Sequence, residues 1–155
     1  MHETELVNLL IEKGLHISCG ESCTGGMLTA ALVNVPAAST VLNASVVTYA
    51  NEAKIKYLAV SKKTIEEYGV VSEQVAAEMA KGAALNNDAE VGVGISGVAG
   101  PGGGTEKKPV GMVCFGFYIN GEVYTFEKKF GTLERNVIRK KSTEFAIDKL
   151  IELLS

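Results

Sequence analysis

The sequence changes from a strand pattern to a helical pattern across Gly20-Glu21-Ser22-Cys23-Thr24-Gly25-Gly26. A short apolar run at residues 15–19 precedes it and has the length of one buried strand. Residues 27–33 follow it and carry apolar side chains at helical spacing. Hydroxyls, a carboxylate, a thiol and two adjacent glycines therefore stand at a predicted strand-to-helix turn. In open α/β sheets, ligands bind at such turns because the first N–H groups of the helix point outward.

The rest of the chain alternates between helical and strand patterns. The predicted helices are residues 4–13, 27–33, 51–58, 64–68, 73–85 and 133–154, and the predicted strands are residues 15–19, 40–50, 91–95, 111–119 and 122–130. Asn120-Gly121 is a strong hairpin signal between the last two strands. This order predicts an α/β fold, a three-layer α/β/α sandwich with a mixed, mostly parallel five-stranded sheet. No repeat or linker divides residues 1–155, so we predict a single domain.

The predicted strand at residues 91–95 alternates valine or isoleucine with glycine. Gly92 and Gly94 within it indicate that the backbone of a neighbouring element approaches closely.

Composition and charge narrow the classes of partner. The chain is 46% hydrophobic and 21% charged, with a net charge of -3, so electrostatics give no reason to expect binding to nucleic acid or to a membrane surface. Three cysteines without a secretory segment predict reduced thiols and a cytoplasmic location. No run is long enough for a membrane span. Because the ligand set for zinc is incomplete, we expect no metal and no other cofactor.

Three polar stretches follow predicted strands, at residues 21–26, 49–54 and 96–105. If those strands are parallel, their carboxyl ends meet at one rim of the sheet. The three stretches are therefore expected to converge, and this convergence is the main reason to predict a site there.

Ser22 is the candidate nucleophile in the first stretch. A serine needs a base within hydrogen-bond reach, and neither histidine of the chain follows a predicted strand. A lysine can act as the base if burial or neighbouring cations lower its pKa. Lys54 lies just past a strand end and is the natural candidate, with Tyr49 positioned to donate a hydrogen bond or relay a proton.

Thr24, Gly25 and Gly26 begin a helix whose free N–H groups could hold an oxyanion. The alternative for Ser22 and Thr24 is that both are simply helix caps. Cys23 is a rival nucleophile, because a helix N-terminus lowers the pKa of a thiol, although cysteine also serves as a small core residue. Glu21 either orients Lys54, binds a substrate hydroxyl or is a solvated loop carboxylate.

The glycine-rich loop at residues 96–105 has the composition of an anion-binding loop. It is neither a P-loop nor a dinucleotide fingerprint, because it leads into a strand and lacks the Gly-Lys-Ser/Thr ending. We interpret it as a flexible substrate-binding loop with Lys107 and Lys108 nearby. Arg139-Lys140-Lys141 is interpreted as a solvated face. The full set of predicted substrate-binding residues is Glu21, Gly25, Gly26, Ser96, Gly97, Gly100, Gly102 and Gly103.

With these residues in view, the sequence resembles the CinA C-terminal domain family, whose stand-alone members are nicotinamide-nucleotide amidases. The matching blocks are in family order and span nearly the whole chain. They are Glu-Ser-Cys-Thr-Gly-Gly at 21–26, Val-Thr-Tyr-Ala-Asn-Glu-Ala-Lys at 47–54, Gly-Val-Val-Ser at 69–72, Ser-Gly-Val-Ala-Gly-Pro-Gly-Gly-Gly at 96–104 and Lys-Pro-Val-Gly at 108–111.

The resemblance implies a mixed-sheet α/β/α fold and hydrolysis of nicotinamide mononucleotide to nicotinate mononucleotide and ammonia, without a metal, in pyridine nucleotide salvage. By position it implies that Ser22 is the nucleophile and Lys54 its base, that Tyr49 and Thr24 assist, and that residues 96–104 close over the substrate. We also expect a homo-oligomer, whose size the sequence does not define. Two alternatives stay open: a nucleotide-binding module without catalysis, and a competence- or DNA-damage-associated interaction protein.

Overall fold

The computed structural model describes residues 1–155. The α-helices are α1 Glu3–Lys13, α2 Met27–Val33, α3 Asn51–Leu58, α4 Lys62–Tyr68, α5 Glu73–Asn86 and α6 Arg135–Leu154. The strands are β1 Ile17–Glu21, β2 Leu42–Val47, β3 Val91–Gly97, β4 Met112–Ile119 and β5 Glu122–Lys129. A short 3-10 turn, Ala38–Thr40, precedes β2.

The five strands form one sheet in the order β2-β1-β3-β4-β5. β1 pairs in parallel with both β2 and β3, whereas β4 pairs antiparallel with β3 and with β5. Four strands therefore run in one direction and β4 runs in the other, which confirms the predicted mixed, mostly parallel sheet. Glu21 at the end of β1 is level with Val47 of β2 and Ile95 of β3. This register brings the carboxyl ends of three strands to one rim.

Helices cover both faces of the sheet, as the predicted sandwich requires. α5 packs on one face against β3 and β4, with α3 and α4 beside it. α1, α2 and α6 pack together on the other face, over a core of aliphatic and aromatic side chains from β1, β3 and β4. None of the six helices has the length and apolar character needed to cross a membrane.

The glycines of β3 let α5 approach the sheet closely, as the sequence predicts. A Cβ atom at Gly92 would lie 2.0 Å from the Ala80 carbonyl oxygen, and one at Gly94 would lie 2.2 Å from the Ala76 carbonyl oxygen. The close approach of α5 therefore depends on the absence of side chains at these two strand positions.

We expect Gly94→Ala to lower the free energy of unfolding by about 3 kcal/mol or more, because the new methyl group meets helix backbone that cannot move aside. Urea denaturation measures the effect. Gly102→Ala is the matched control, since no atom lies within 4 Å of its added Cβ, and it should change stability by less than about 0.5 kcal/mol. Equal midpoints for the two variants would contradict this packing account.

Three strands differ from the prediction by two residues or more at one or both ends. β3 extends to Gly97, so Ser96 and Gly97, which were predicted in the glycine-rich loop, lie in the strand. β1 begins at Ile17 because Leu15 still belongs to the end of α1, where its N–H donates to the Leu10 carbonyl. The strand consequently extends to Glu21, a residue that the pattern placed in the turn. β2 is shorter than predicted at both ends, because the 3-10 turn occupies its expected start and the strand ends at Val47 instead of residue 50.

Candidate active site

The three polar stretches converge at the rim of the sheet, around a cavity of about 280 Å³. The turn after β1, the segment between β2 and α3, and the loop after β3 each contribute to its walls. The lining residues are Ser22, Cys23, Tyr49, Asn51, Lys54, Val70, Val71, Ser96, Gly97, Val98, Ala99, Gly100, Gly102, Gly103 and Arg135. The convergence expected from the strand order is therefore observed.

Ser22 and Lys54 meet at the base of this cavity. The Lys54 Nζ atom lies 3.0 Å from the Ser22 Oγ atom, which is hydrogen-bond distance. Ser22 is 8% exposed and Lys54 only 1% exposed. The two residues come from different strand ends, 32 positions apart in the chain. The structure thus places next to each other the two side chains that sequence analysis paired as nucleophile and base.

The surroundings of Lys54 favour its neutral form. No carboxylate pairs with its ammonium group, and burial lowers its pKa to about 8. Its Nζ also lies 2.7 Å from the Thr48 carbonyl oxygen and 3.5 Å from that of Tyr49. A neutral amine has two N–H groups and one lone pair. When the two carbonyls accept the two N–H groups, the lone pair remains for the Ser22 hydroxyl proton.

Glu21 lies outside the cavity, contrary to its predicted contact with substrate or with Lys54. Its fully buried carboxylate accepts hydrogen bonds from the N–H groups of Gly26, Leu28 and Thr29 and from the Thr29 hydroxyl. This side chain therefore caps the start of α2, a role that the pattern missed because it ended β1 two residues too early.

The N–H groups of Gly25 and Gly26, which were predicted to hold an oxyanion, are engaged within the protein. The Gly25 N–H donates to the Ser22 carbonyl and the Gly26 N–H donates to Glu21, so neither group is free to bind an oxyanion. The N–H groups of Cys23 and Thr24 have no acceptor within the protein. These two amides directly follow Ser22, the candidate nucleophile, and the amide after a nucleophile commonly serves as an oxyanion donor. They replace the amides at 25 and 26 as candidates.

The Thr24 side chain is fully buried and does not line the cavity. Its Oγ1 atom has no hydrogen-bond partner. A direct role for this hydroxyl at the reacting atoms is thus not supported by the geometry, and only the free backbone N–H group of Thr24 stays a candidate.

Cys23 is an unfavourable nucleophile in this setting. It lines the cavity, but it is 5% exposed and burial raises its pKa to about 11. A thiol of that pKa is almost entirely protonated near neutral pH. The geometry therefore favours Ser22 over its neighbour.

Tyr49 lines the mouth of the cavity and not its base. Its side chain is 62% exposed, and its hydroxyl accepts a hydrogen bond of 2.6 Å from the Arg135 guanidinium. Only its backbone carbonyl faces Lys54. The geometry does not support the predicted proton relay through the Tyr49 hydroxyl, because that hydroxyl is bonded to Arg135 and not to Ser22.

The glycine-rich loop and the end of β3 form one wall of the cavity. Ser96 is buried and its hydroxyl donates to the Val70 carbonyl, so it holds the loop base against the segment before α5. The Lys108 ammonium donates to the carbonyls of Tyr68 and Val71. Lys108 thus anchors the other end of the loop and is not directed at a ligand. The predicted loop residues that do line the cavity are Ser96, Gly97, Gly100, Gly102 and Gly103.

Two arginines of α6 belong to the site and were missed by sequence analysis. Arg135 donates to the Gly100 carbonyl and to Tyr49, and so joins opposite sides of the cavity mouth. Arg139, interpreted as part of a solvated face, donates to the carbonyls of Cys23 and Thr24. The sequence feature that could have identified them is their four-residue spacing at the start of a helix, because residues so spaced lie on the same helix face.

Comparison with known proteins places this arrangement in a family. The family model that describes the CinA C-terminal domain matches residues 1–154 of this sequence. The chain belongs to the CinA C-terminal domain family. A CinA-like protein of Dictyoglomus turgidum is 48% identical over 148 residues, which are 96% of this chain and 36% of that protein. The chain spans about a third of the length of the curated relatives it matches.

Solved CinA-family structures share the fold over nearly the whole chain. The competence/damage inducible protein CihA from Agrobacterium tumefaciens is 38% identical, with a TM-score of 0.93, and the match covers 100% of this chain and 97% of that one. A CinA superfamily protein from Escherichia coli is also 38% identical, with a TM-score of 0.94 over 97% of this chain and 87% of that chain. These matches confirm the resemblance and the α/β sandwich.

Proposed function

We propose that this CinA-family chain is a nicotinamide-nucleotide amidase, which hydrolyses nicotinamide mononucleotide to nicotinate mononucleotide and ammonia. The observation that carries the proposal is the 3.0 Å contact between the Ser22 hydroxyl and the buried Lys54 amine at the base of a cavity. A serine with an adjacent neutral lysine is equipped for acyl transfer. The choice of substrate comes from the family resemblance.

In the first half of the reaction, Lys54 in its neutral form takes the proton of Ser22. The Ser22 oxygen attacks the carboxamide carbon and forms a tetrahedral intermediate. The N–H groups of Cys23 and Thr24 stabilise the oxyanion, an interaction worth on the order of a hundredfold or more in rate. The Lys54 ammonium then protonates the amide nitrogen, the C–N bond breaks, and ammonia leaves.

In the second half of the reaction, water acts as the nucleophile after ammonia has left. Lys54 accepts a proton from the water as its oxygen attacks the acyl-serine ester, and the collapse of the second tetrahedral intermediate returns that proton to Ser22. The product is nicotinate mononucleotide. The cationic pyridinium ring makes the carboxamide carbon electrophilic, so the reaction needs only a modest nucleophile.

The mouth of the cavity suits the ribosyl phosphate part of this substrate. The N–H groups of Gly102 and Gly103 have no acceptor within the protein, and consecutive free N–H groups attract anions. The Arg135 guanidinium adds positive charge beside them.

The direct test is a substrate comparison with the purified protein. Ammonia release from nicotinamide mononucleotide is expected, and release from free nicotinamide should be at least about a hundredfold slower, because remote binding energy is lost. Binding of the nucleotide by calorimetry with no ammonia after long incubation would instead support a nucleotide-binding module without catalysis. Absence of both would favour an interaction protein.

The reaction should accelerate with pH through the range around pH 8. Lys54 acts as a base only when neutral, and its pKa of about 8 makes the neutral fraction small at pH 6 and dominant at pH 10. We expect kcat/KM to rise about tenfold per pH unit below the midpoint and to level off above it. Initial rates of ammonia release between pH 6 and 10 measure this profile. A rate that is flat or falling across that range would contradict the role of Lys54 as the base.

A further inference from the structure

The carboxylate of Glu21 has an arrangement that helix capping alone does not require. The residue is 0% exposed, and no cation pairs with it. Burying an unpaired carboxylate is expensive, and a serine or threonine would cap the helix without that cost. All of its partners lie at the start of α2: the N–H group of Gly26, which directly precedes the helix, and the N–H groups of Leu28 and Thr29, at 2.9 to 3.1 Å, with the Thr29 hydroxyl. The chain therefore holds a costly group at the residue that immediately precedes Ser22.

The side chain of Glu21 closes a ring around the nucleophile. Its backbone is held in the sheet by pairing with β2 and β3, while its carboxylate reaches over residues 22–25 to the start of α2. Within the ring, the Gly25 N–H donates to the Ser22 carbonyl. Both ends of the turn that carries Ser22 are consequently fixed by one residue, and the reach of its side chain sets the position of the turn.

The backbone of Glu21 is also connected to the base. Its carbonyl accepts a 2.8 Å hydrogen bond from the Thr48 N–H, and the Thr48 carbonyl accepts one of 2.7 Å from the Lys54 ammonium. The segment that holds Lys54 is thus bonded to the residue that holds Ser22. Hydrogen bonds therefore connect Glu21 both to the turn that carries Ser22 and, through Thr48, to Lys54.

We propose that Glu21 is a positioning residue, which sets the distance between the Ser22 hydroxyl and the Lys54 amine by fixing the turn and the neighbouring strand end at the same point. This inference rests on the proposed function for its kinetic readout, but the geometry it describes does not depend on the substrate. Loss of the carboxylate should slow chemistry and leave nucleotide binding intact, because Glu21 does not line the cavity.

The test is Glu21→Gln, which keeps the size of the side chain but turns an NH2 group toward donors. We expect kcat to fall about thirtyfold or more, while KM for nicotinamide mononucleotide changes less than about threefold. The rate at which a fluorophosphonate labels Ser22 should fall by the same factor as kcat. Glu90→Gln is the matched control, since Glu90 also accepts a backbone N–H but lies on the surface, and both rates should be unchanged. A folded Glu21→Gln protein with kcat within about threefold of wild type would overturn the proposal.

If Glu21→Gln does not fold, Thr29→Val decides, because it removes one of the four donors from the same carboxylate. A fall in kcat of about threefold to tenfold at unchanged KM supports the proposal, and an unchanged kcat overturns it.

Fluorophosphonate labelling distinguishes failure of the amidase proposal from failure of the Glu21 proposal. If wild type is labelled at Ser22 without releasing ammonia from the nucleotide, only the amidase is contradicted, and the labelling rates still test Glu21. If Ser22 of wild type is not labelled and no ammonia forms, both proposals fail.

Discussion

Ser22→Ala should abolish ammonia release from nicotinamide mononucleotide while leaving the fold and nucleotide binding intact. The substitution removes only the hydroxyl group, which supplies the bond-forming oxygen in the proposed mechanism. Loss of a nucleophile that acts together with its base typically costs at least about a thousandfold in kcat. Ser22 lies at the cavity base, beside Lys54, so its loss should change the dissociation constant for the nucleotide less than about threefold, as measured by calorimetry.

Ser39→Ala is the matched control for this variant, because Ser39 is exposed in the 3-10 turn and far from the cavity wall. Its activity should equal that of wild type. Activity within tenfold of wild type in Ser22→Ala would mean that water is activated directly or that another residue attacks the amide, and the assignment of the nucleophile would be wrong.

Lys54→Met should lose activity and gain stability. The variant lacks the base, so kcat/KM should fall by about a thousandfold or more. Burial lowers the pKa of Lys54 from 10.5 to about 8. Below pH 8 the lysine is charged in both the folded and the unfolded protein, and the folded state bears the cost of burying that charge. Removing the amine should therefore raise the free energy of unfolding at pH 7 by on the order of 1–3 kcal/mol.

The size of this stabilisation should decrease as the pH rises. Between about pH 8 and 10.5 the unfolded wild-type protein binds more protons than the folded protein, so wild-type stability rises through that range. The advantage of Lys54→Met should shrink accordingly. Lys56→Met is the control, since Lys56 lies on the same helix with an exposed side chain. Thermal unfolding at pH 7 and pH 10 tests the prediction, and a Lys54→Met protein less stable than wild type at pH 7 would refute it.

Sequence reasoning could pair Ser22 with Lys54, the candidate nucleophile and base, because their proximity depends on topology. Ser22 and Lys54 each follow a strand that enters the sheet in parallel, and such strand ends are neighbours whatever their separation in the chain. The apolar and polar periodicity that defines strands and helices was sufficient for this, even with β1 displaced by two residues.

The supporting contacts were not predictable in the same way. Arg139 reaches the turn of Ser22 from α6, 116 positions from Cys23, and no periodic pattern relates them. Gly25 and Gly26 have the composition of an anion-binding turn, yet their N–H groups are already bonded inside the protein. Whether a polar group is free or engaged depends on side-chain conformation, which composition and spacing do not define. Glu21 illustrates this best, because the same carboxylate fits a substrate contact in the sequence and a helix cap in the structure.

The proposed mechanism passes through an acyl-serine ester, which hydroxylamine can intercept. Wild-type protein is given nicotinamide mononucleotide with and without hydroxylamine, and the products are separated and quantified. If Ser22 forms an ester, hydroxylamine competes with water for it, so the hydroxamate of the nucleotide should appear at the expense of nicotinate mononucleotide. Ser22→Ala should yield neither product. Formation of nicotinate mononucleotide alone, undiminished by hydroxylamine, would contradict the covalent mechanism.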